Sequence, residues 1–323
     1  LSPHRVVRLW LLASLTAQPV LAASPPIVEP ARRFVPAAVV HAQAHYPEGP
    51  QWLSDGRLLV AEMPRHRVIQ LQGGKVATVF SQDGCGPTSV KALPRSQGLA
   101  GGGGYWILCH LGHRVLRVDD QFRVLATVTE AGVGRRLSWP NDGSVDEQGN
   151  LYLSSAGLFS LSAPAEGAVV RIEAASNRAQ VLASGLRYSN GVRYQASRHR
   201  VLVSEHLNHR VLAFDLQADG KLGPSRVLFD FAHAPKVADA YELSGPDGIA
   251  VFRDGTLLVA DYGNGRLLHL SDGGKLLAVV RVQLRFVTNM AIADDERSMF
   301  VVMTENNQSL ELHGIVQRFD IQR

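Results

Sequence analysis

The 323-residue chain is 46% hydrophobic and 19% charged, an ordinary globular balance with enough apolar residues for a large core. Its net charge of +4 is spread over scattered lysines and arginines with no basic stripe and no interleaved aromatics, which argues against a nucleic-acid partner. Only Cys85 and Cys109 are available, so neither a disulfide scaffold nor a thiolate zinc site can be built.

The N-terminus differs from the rest. His4, Arg5 and Arg8 precede Leu9-Trp10-Leu11-Leu12-Ala13, and the apolar stretch runs to small residues at Ala22-Ala23-Ser24. A basic start, a short apolar run and a small-residue end read as a secretory signal over residues 1–23, with a frayed N-terminus as the alternative. Thr16, Gln18 and Pro19 make the run too polar for a membrane span, and no cysteine follows to carry a lipid. The expectation is a soluble exported protein, periplasmic or extracellular. Residues 24–36, rich in Pro and Ala, are expected as a loose leader, and residues 37–323 as one domain.

From there one unit recurs: an oxygen-bearing residue, usually a glycine, a strand, a tight turn and a second strand. Glu48-Gly49-Pro50 leads to Ser54-Asp55-Gly56 and Leu58-Leu59-Val60-Ala61, and strands are predicted at 51–53, 58–61, 67–71 and 76–80. The second repeat offers 89–93, 105–109, 114–118 and 124–128, with Gly101 to Gly104 as a hairpin tip. That glycine run lacks the Lys-Ser/Thr and helix of a phosphate loop. Pro140-Asn141-Asp142-Gly143, Ser189-Asn190-Gly191 and Pro246-Asp247-Gly248 open the third, fourth and fifth repeats, and Asn289 opens the sixth. Aligned on Glu48, Thr88, Asn141, Asn190, Asp247 and Asn289, the steps are 40, 53, 49, 57 and 42 residues. Periods of roughly 40 to 50 residues with several short strands predict propeller blades. The sixth repeat runs out of chain after three strands, and an N-terminal strand at 37–41 is available to complete it. The predicted fold is all-β: a six-bladed β-propeller closed by an N-terminal strand.

In that fold the six aligned residues meet at one mouth of the central channel. They offer oxygen and neither sulfur nor imidazole, a hard donor set suited to Ca²⁺, or less well to Mg²⁺ or Mn²⁺. Each Asn-Gly or Asp-Gly alone is an ordinary turn dipeptide; the shared register argues for a site. A second aligned set, Glu62, His110, Ser155, Glu205, Asp261 and Thr304, closes the second strands, with Arg67, Arg210 and Arg266 following three of them. Carboxylates there read as structural, binding backbone N–H groups or the arginine. His110 reads as a turn histidine or as a group near the mouth able to touch substrate or move a proton. Cys85 and Cys109 fall toward the same face of one repeat, so a disulfide is open to them in an oxidising compartment.

The four motifs Glu48-Gly49-Pro50, Pro140-Asn141-Asp142-Gly143, Ser189-Asn190-Gly191 and Pro246-Asp247-Gly248, in this order, resemble the senescence-marker-protein/gluconolactonase/luciferin-regenerating family over roughly residues 37 to 320. The resemblance implies a six-bladed propeller with one divalent cation at the channel and, in many members, lactone hydrolysis. It implies Glu48, Asn190 and Asp247 as metal ligands, and Asn141 as the residue that touches the ion's water or the substrate. Asp247 would also be the general base. Ca²⁺ is the expected ion, with Mg²⁺, Mn²⁺ or Zn²⁺ as alternatives; the expected partner is a small lactone or ester, and the expected assembly a monomer. Sugar-lactonase members often carry Arg two residues before the Asn that Asn141 matches; here Trp139 stands there, which favours a more apolar lactone or ester. The segment from Val203-Ser204-Glu205 to Arg210-Val211 also resembles strictosidine-synthase-like propellers. A non-catalytic binding propeller is the remaining alternative.

Overall fold

The computed structural model describes residues 32–94, 103–305 and 313–322; the predicted signal segment, most of the leader, and Gly101 lie outside them. Six four-stranded antiparallel sheets follow one another along the chain. Blade 1 is Pro47–Trp52, Leu58–Glu62, Arg67–Gln72 and Lys75–Ser81. Blade 2 is Pro87–Ala92, Tyr105–Cys109, Arg114–Val118 and Val124–Val128. Blade 3 is Pro140–Val145, Leu151–Ser155, Gly167–Ile172 and Ala179–Leu186. Blade 4 is Ser189–Gln195, Arg200–Glu205, Arg210–Leu216 and Leu222–Asp230. Blade 5 is Gly245–Val251, Leu257–Tyr262, Arg266–Leu270 and Leu276–Arg281. Blade 6 is Phe286–Ile292, Ser298–Thr304 and His313–Gln322, with Arg33–His45 as its outermost strand. The first strands of successive blades adjoin in a closed ring, the sixth meeting the first. The chain is therefore a six-bladed propeller closed by its N-terminal strand.

Two sequence expectations need correction. The closing strand begins at Arg33 instead of residue 37, so Arg33 to Pro36 belong to the sheet and not to a loose leader. Pro36, which suggested looseness, is tolerated because the strand lies at a blade's outer edge, where a missing N–H disturbs little. The aligned oxygen-bearing residues also lie within the innermost strands, not ahead of them. In all six blades the pairing register slips at that point, for example between Pro246 and Ile249 and between Ser189 and Val192. A bulge there turns the extra residue away from the ladder. A small hairpin between blades 2 and 3, Glu130–Gly132 with Arg135–Arg136, was not legible in the sequence.

The core is distributed. Six apolar clusters occupy the six blade-to-blade interfaces, such as Leu58, Val60, Phe300 and Val302 between blades 1 and 6. Second strands are thus buried on both faces, which explains unbroken apolar runs such as Leu257-Leu258-Val259-Ala260. Cys85 and Cys109, both fully buried, form a disulfide within blade 2.

The closing strand also covers His269, which is 3% exposed and has neither ring nitrogen hydrogen-bonded. Phe34 and Phe252 meet its ring edge to face at 5.2 and 6.0 Å, and the Arg32 guanidinium lies 4.0 Å over the Phe252 ring. Burial, then the charge of Arg32, pull the His269 pKa down to about 4. The unfolded chain therefore takes up this proton first as pH falls. Stability is full above the ordinary imidazole value and declines as pH drops from 6.5 toward 4. We expect His269→Leu to reduce that decline by roughly 2 kcal/mol, measured by urea unfolding at pH 7.5 and pH 4.5; an unchanged pH slope would contradict the assignment.

Candidate active site

The channel mouth is built from the bulged inner strands. Glu48, Asn141, Asn190 and Asp247 are all buried there, between 4% and 6% exposed. The structure brings these residues together, because Asp247 feels the charge of Glu48, and the nearby Asn190 side chain counters part of the rise in its pKa. Burial pushes the Asp247 carboxyl well above its ordinary value, and the charges of Glu48 and Asp142 push it further. Burial likewise raises Glu48, followed by the charge of Asp142, while the Gly49 N–H and Lys91 oppose the rise. Neither Glu48 nor Asp247 forms an ion pair with a cationic side chain of the described residues, whereas Asp142 pairs with Lys91.

Glycines after the ligand-type residues are explained by neighbouring blades, not by turns. A Cβ at Gly191 would lie 2.3 Å from the carbonyl oxygen of Asp247, and one at Gly248 would lie 2.2 Å from the Asn289 side chain. Backbone approach of this kind admits only glycine.

Not every aligned residue presents a free oxygen. The Thr88 hydroxyl donates to the carbonyl of Asn141 at 2.8 Å, stitching blade 2 to blade 3. Asn289 donates to Asp142 Oδ2 at 3.0 Å and accepts the Met290 N–H at 2.8 Å. Asn141 Nδ2 donates to the Tyr188 hydroxyl at 3.2 Å. Asn190 differs: its Nδ2 faces His206 Nδ1 at 3.3 Å, while its Oδ1 is buried with no hydrogen-bond partner. His206 Nε2 lies 2.9 Å from the Leu243 carbonyl, so Nε2 carries the proton and Nδ1 is the acceptor. Burial holds the His206 pKa down near 4, which keeps that arrangement neutral and directional.

Two repelling carboxylates and an orphaned amide oxygen fit a hard divalent cation, because a buried polar atom left unpaired is costly. Among the described residues no group of three or more His, Cys, Asp and Glu is placed to hold an ion. The fit therefore rests on Glu48 and Asp247 with amide oxygen beside them.

Aromatic side chains roof this end. Trp139 packs against His110 at 5.1 Å and His113 at 4.3 Å; Phe159 packs on Tyr188 at 4.7 Å and His206 at 5.2 Å; and the Tyr46 and Tyr262 hydroxyls are 2.9 Å apart. His110 Nδ1 bonds the Pro140 carbonyl at 3.2 Å, and burial lowers its pKa to about 4, so it is neutral at the roof. Tyr46, Trp139 and Tyr188 stand two residues before Glu48, Asn141 and Asn190, and their φ angles are +44°, +52° and +56°. Bulky residues in the left-handed region cost about 1–3 kcal/mol each and persist where surroundings hold them. In blade 3 the Trp139 N–H donates to His113 Nδ1 at 3.2 Å, which secures one of them.

Sequence reasoning missed Asp142, His206 and Tyr188. Asp142 accepts from Ser89 Oγ at 2.9 Å, Lys91 Nζ at 2.9 Å and Asn289 Nδ2 at 3.0 Å, so it braces the channel below the mouth. Its place directly after Asn141 was the available signal. The second aligned set is structural, as expected: Glu62–Arg67, Glu205–Arg210 and Asp261–Arg266 pair at 2.5, 2.6 and 2.6 Å.

The fold and site together are those of a six-bladed propeller with an oxygen-lined channel mouth beneath aromatic side chains. The chain belongs to the SMP-30/Gluconolactonase/LRE-like region family, which matches residues 46–305. It is 28% identical over 232 residues to a 6-deoxy-6-sulfogluconolactonase of Pseudomonas putida, covering 70% of this chain and 75% of that protein. It is 25% identical over 215 residues to a diisopropyl-fluorophosphatase of Loligo vulgaris, covering 61% of this chain and 63% of that protein. A solved gluconolactonase from Xanthomonas campestris superposes with a TM-score of 0.70 at 19% identity, covering 91% of this chain and 99% of that one. These relatives support a hydrolase of the lactone and ester class.

Two outcomes follow from the charge arrangement. Asp142→Ala leaves Lys91 buried and unpaired and should cost about 3 kcal/mol in urea unfolding. Glu48→Gln removes one of two buried carboxylates and should raise the melting temperature of cation-free protein by a few degrees, on the order of 1 kcal/mol; a lower melting temperature would contradict the repulsion.

Proposed function

We propose that the chain is an exported, divalent-cation-dependent hydrolase of lactones or related esters, with Ca²⁺ as the cation. The observation that carries this reading is the unpartnered Asn190 Oδ1 beside the two raised carboxylates of Glu48 and Asp247. Glu48, Asn190 and Asp247 would hold the ion, with Asn141 at its margin. A cation there supplies positive charge that polarises a carbonyl and eases the deprotonation of water.

The protein's own groups do the rest. His206 holds the Asn190 amide with its oxygen free. Asn141, fixed by the Tyr188 hydroxyl, orients the substrate carbonyl or the attacking water. Asp247, buried at the mouth, accepts the proton of that water. Attack opens the ring at its acyl carbon and leaves a carboxylate and a hydroxyl.

Trp139, flanked by His110 and His113, gives the roof an apolar face where an arginine would grip a sugar hydroxyl or an acid. This supports an apolar lactone or ester over a sugar lactone. The buried Cys85–Cys109 disulfide supports export to an oxidising compartment.

The test is hydrolysis of a lactone and aryl-ester panel, with chelator and with Ca²⁺, Mn²⁺ or Zn²⁺ restored. Turnover should vanish on chelation and return with a divalent ion. Asp247→Ala should lower kcat by at least about a hundredfold with the circular dichroism spectrum unchanged. Trp139→Arg should shift kcat/KM toward gluconolactone by about tenfold relative to an apolar lactone. A folded protein inactive on every substrate with every ion would overturn the reading.

A further inference from the structure

Beyond the channel mouth, a second set of inner-strand residues lines one cavity: Gln51, Lys91, Arg193, Ala250 and Ile292. It carries two cations where the mouth carries two carboxylates. Lys91 and Arg193 line this cavity of about 240 Å³ together with Gln51, Asp142 and Asn289.

The polar groups of this cavity are unequally matched. Asp142 is already filled by Ser89, Lys91 and Asn289. Asn289 is committed at both ends of its amide. At the rim, Glu296 accepts the Arg253 N–H at 2.6 Å and pairs with Arg32 at 3.5 Å. Asp294 is exposed, and its carbonyl accepts from Arg253. Lys91 retains two N–H groups after its bond to Asp142. Arg193 has no hydrogen-bond or ion-pair partner among the described residues, and the charge of Asp142 is the one it feels. A half-buried planar guanidinium that lines this cavity and has no protein partner among the described residues is suited to acceptor oxygens in a fork.

We propose that this cavity is a binding site for a small oxyanion, a carboxylate or a phosphate, held bidentately by Arg193 with Lys91 as the second donor. The cavity lining does not include Glu48, Asn190 or Asp247, and the proposal does not depend on hydrolase activity.

The experiment is calorimetric titration of the full chain, stripped of metal and dialysed free of chelator, with sodium acetate and with sodium phosphate, against sodium chloride at constant ionic strength. A saturable heat with at least one oxyanion is expected, carbon or phosphorus acid being distinguished by which one saturates. Arg193→Met should weaken it by at least about tenfold, and Arg193→Lys, which keeps charge but loses the fork, by about threefold or more. Asp247→Asn should bind as the native chain does. Absence of saturable binding to native protein would overturn the proposal. So would native-like binding by Arg193→Met. Should Arg193→Met fail to fold, native-like affinity in Arg193→Lys would be enough to reject it.

Discussion

The structure depends on how closely six inner strands approach one another around the channel. At Gly191 and Gly248 the neighbouring blade occupies the space where a Cβ would stand. Side-chain hydroxyls complete the same ring: Thr88 bonds the Asn141 carbonyl, Ser204 the Asp247 carbonyl and Thr288 the Pro47 carbonyl. These bonds fall on the backbone of the ligand-type residues or their immediate neighbours. Closure of the ring and positioning of the site are consequently one constraint. A change that loosens one blade's bulge displaces the next blade's functional side chain.

Within that ring, charge is layered. The mouth concentrates carboxylate, the level below holds Asp142 in a filled network, and the next presents Lys91 and Arg193. Burial of Glu48, Asp142, Asp247 and Lys91 makes these charges consequential, because water screens them little. His206 adds direction to the charge, since a neutral imidazole that accepts at Nδ1 leaves the Asn190 oxygen free.

The fold was legible because each blade repeats one strand–turn–strand pattern, and the same register picked out Glu48, Asn141, Asn190 and Asp247. The closing strand was legible in existence but not in length, since Pro36 looked like a loop residue until its edge position was known. Partnership across blades was not legible. Thr88 and Asn289 share the register of the ligands, yet their polar atoms are claimed by Asn141 and Asp142 from elsewhere in the ring. His206 and Arg193 carry no motif at all. Their roles come from what stands opposite them, and that depends on tertiary packing instead of on local pattern.

The pairing of Arg33 with Gln322 joins two segments separated by most of the described chain. A ribosome releases the first of these long before the second exists. Throughout synthesis the closing strand has no edge to dock on, and the sixth sheet is the last to gain its full complement. Loop closure over so long a span is slow. Until this strand docks, a partly made ring offers an open edge to any extended segment nearby. A holdase that shields residues 33–45, or a chain kept unfolded until its far end is made, would protect this propeller from joining its neighbours before it joins itself.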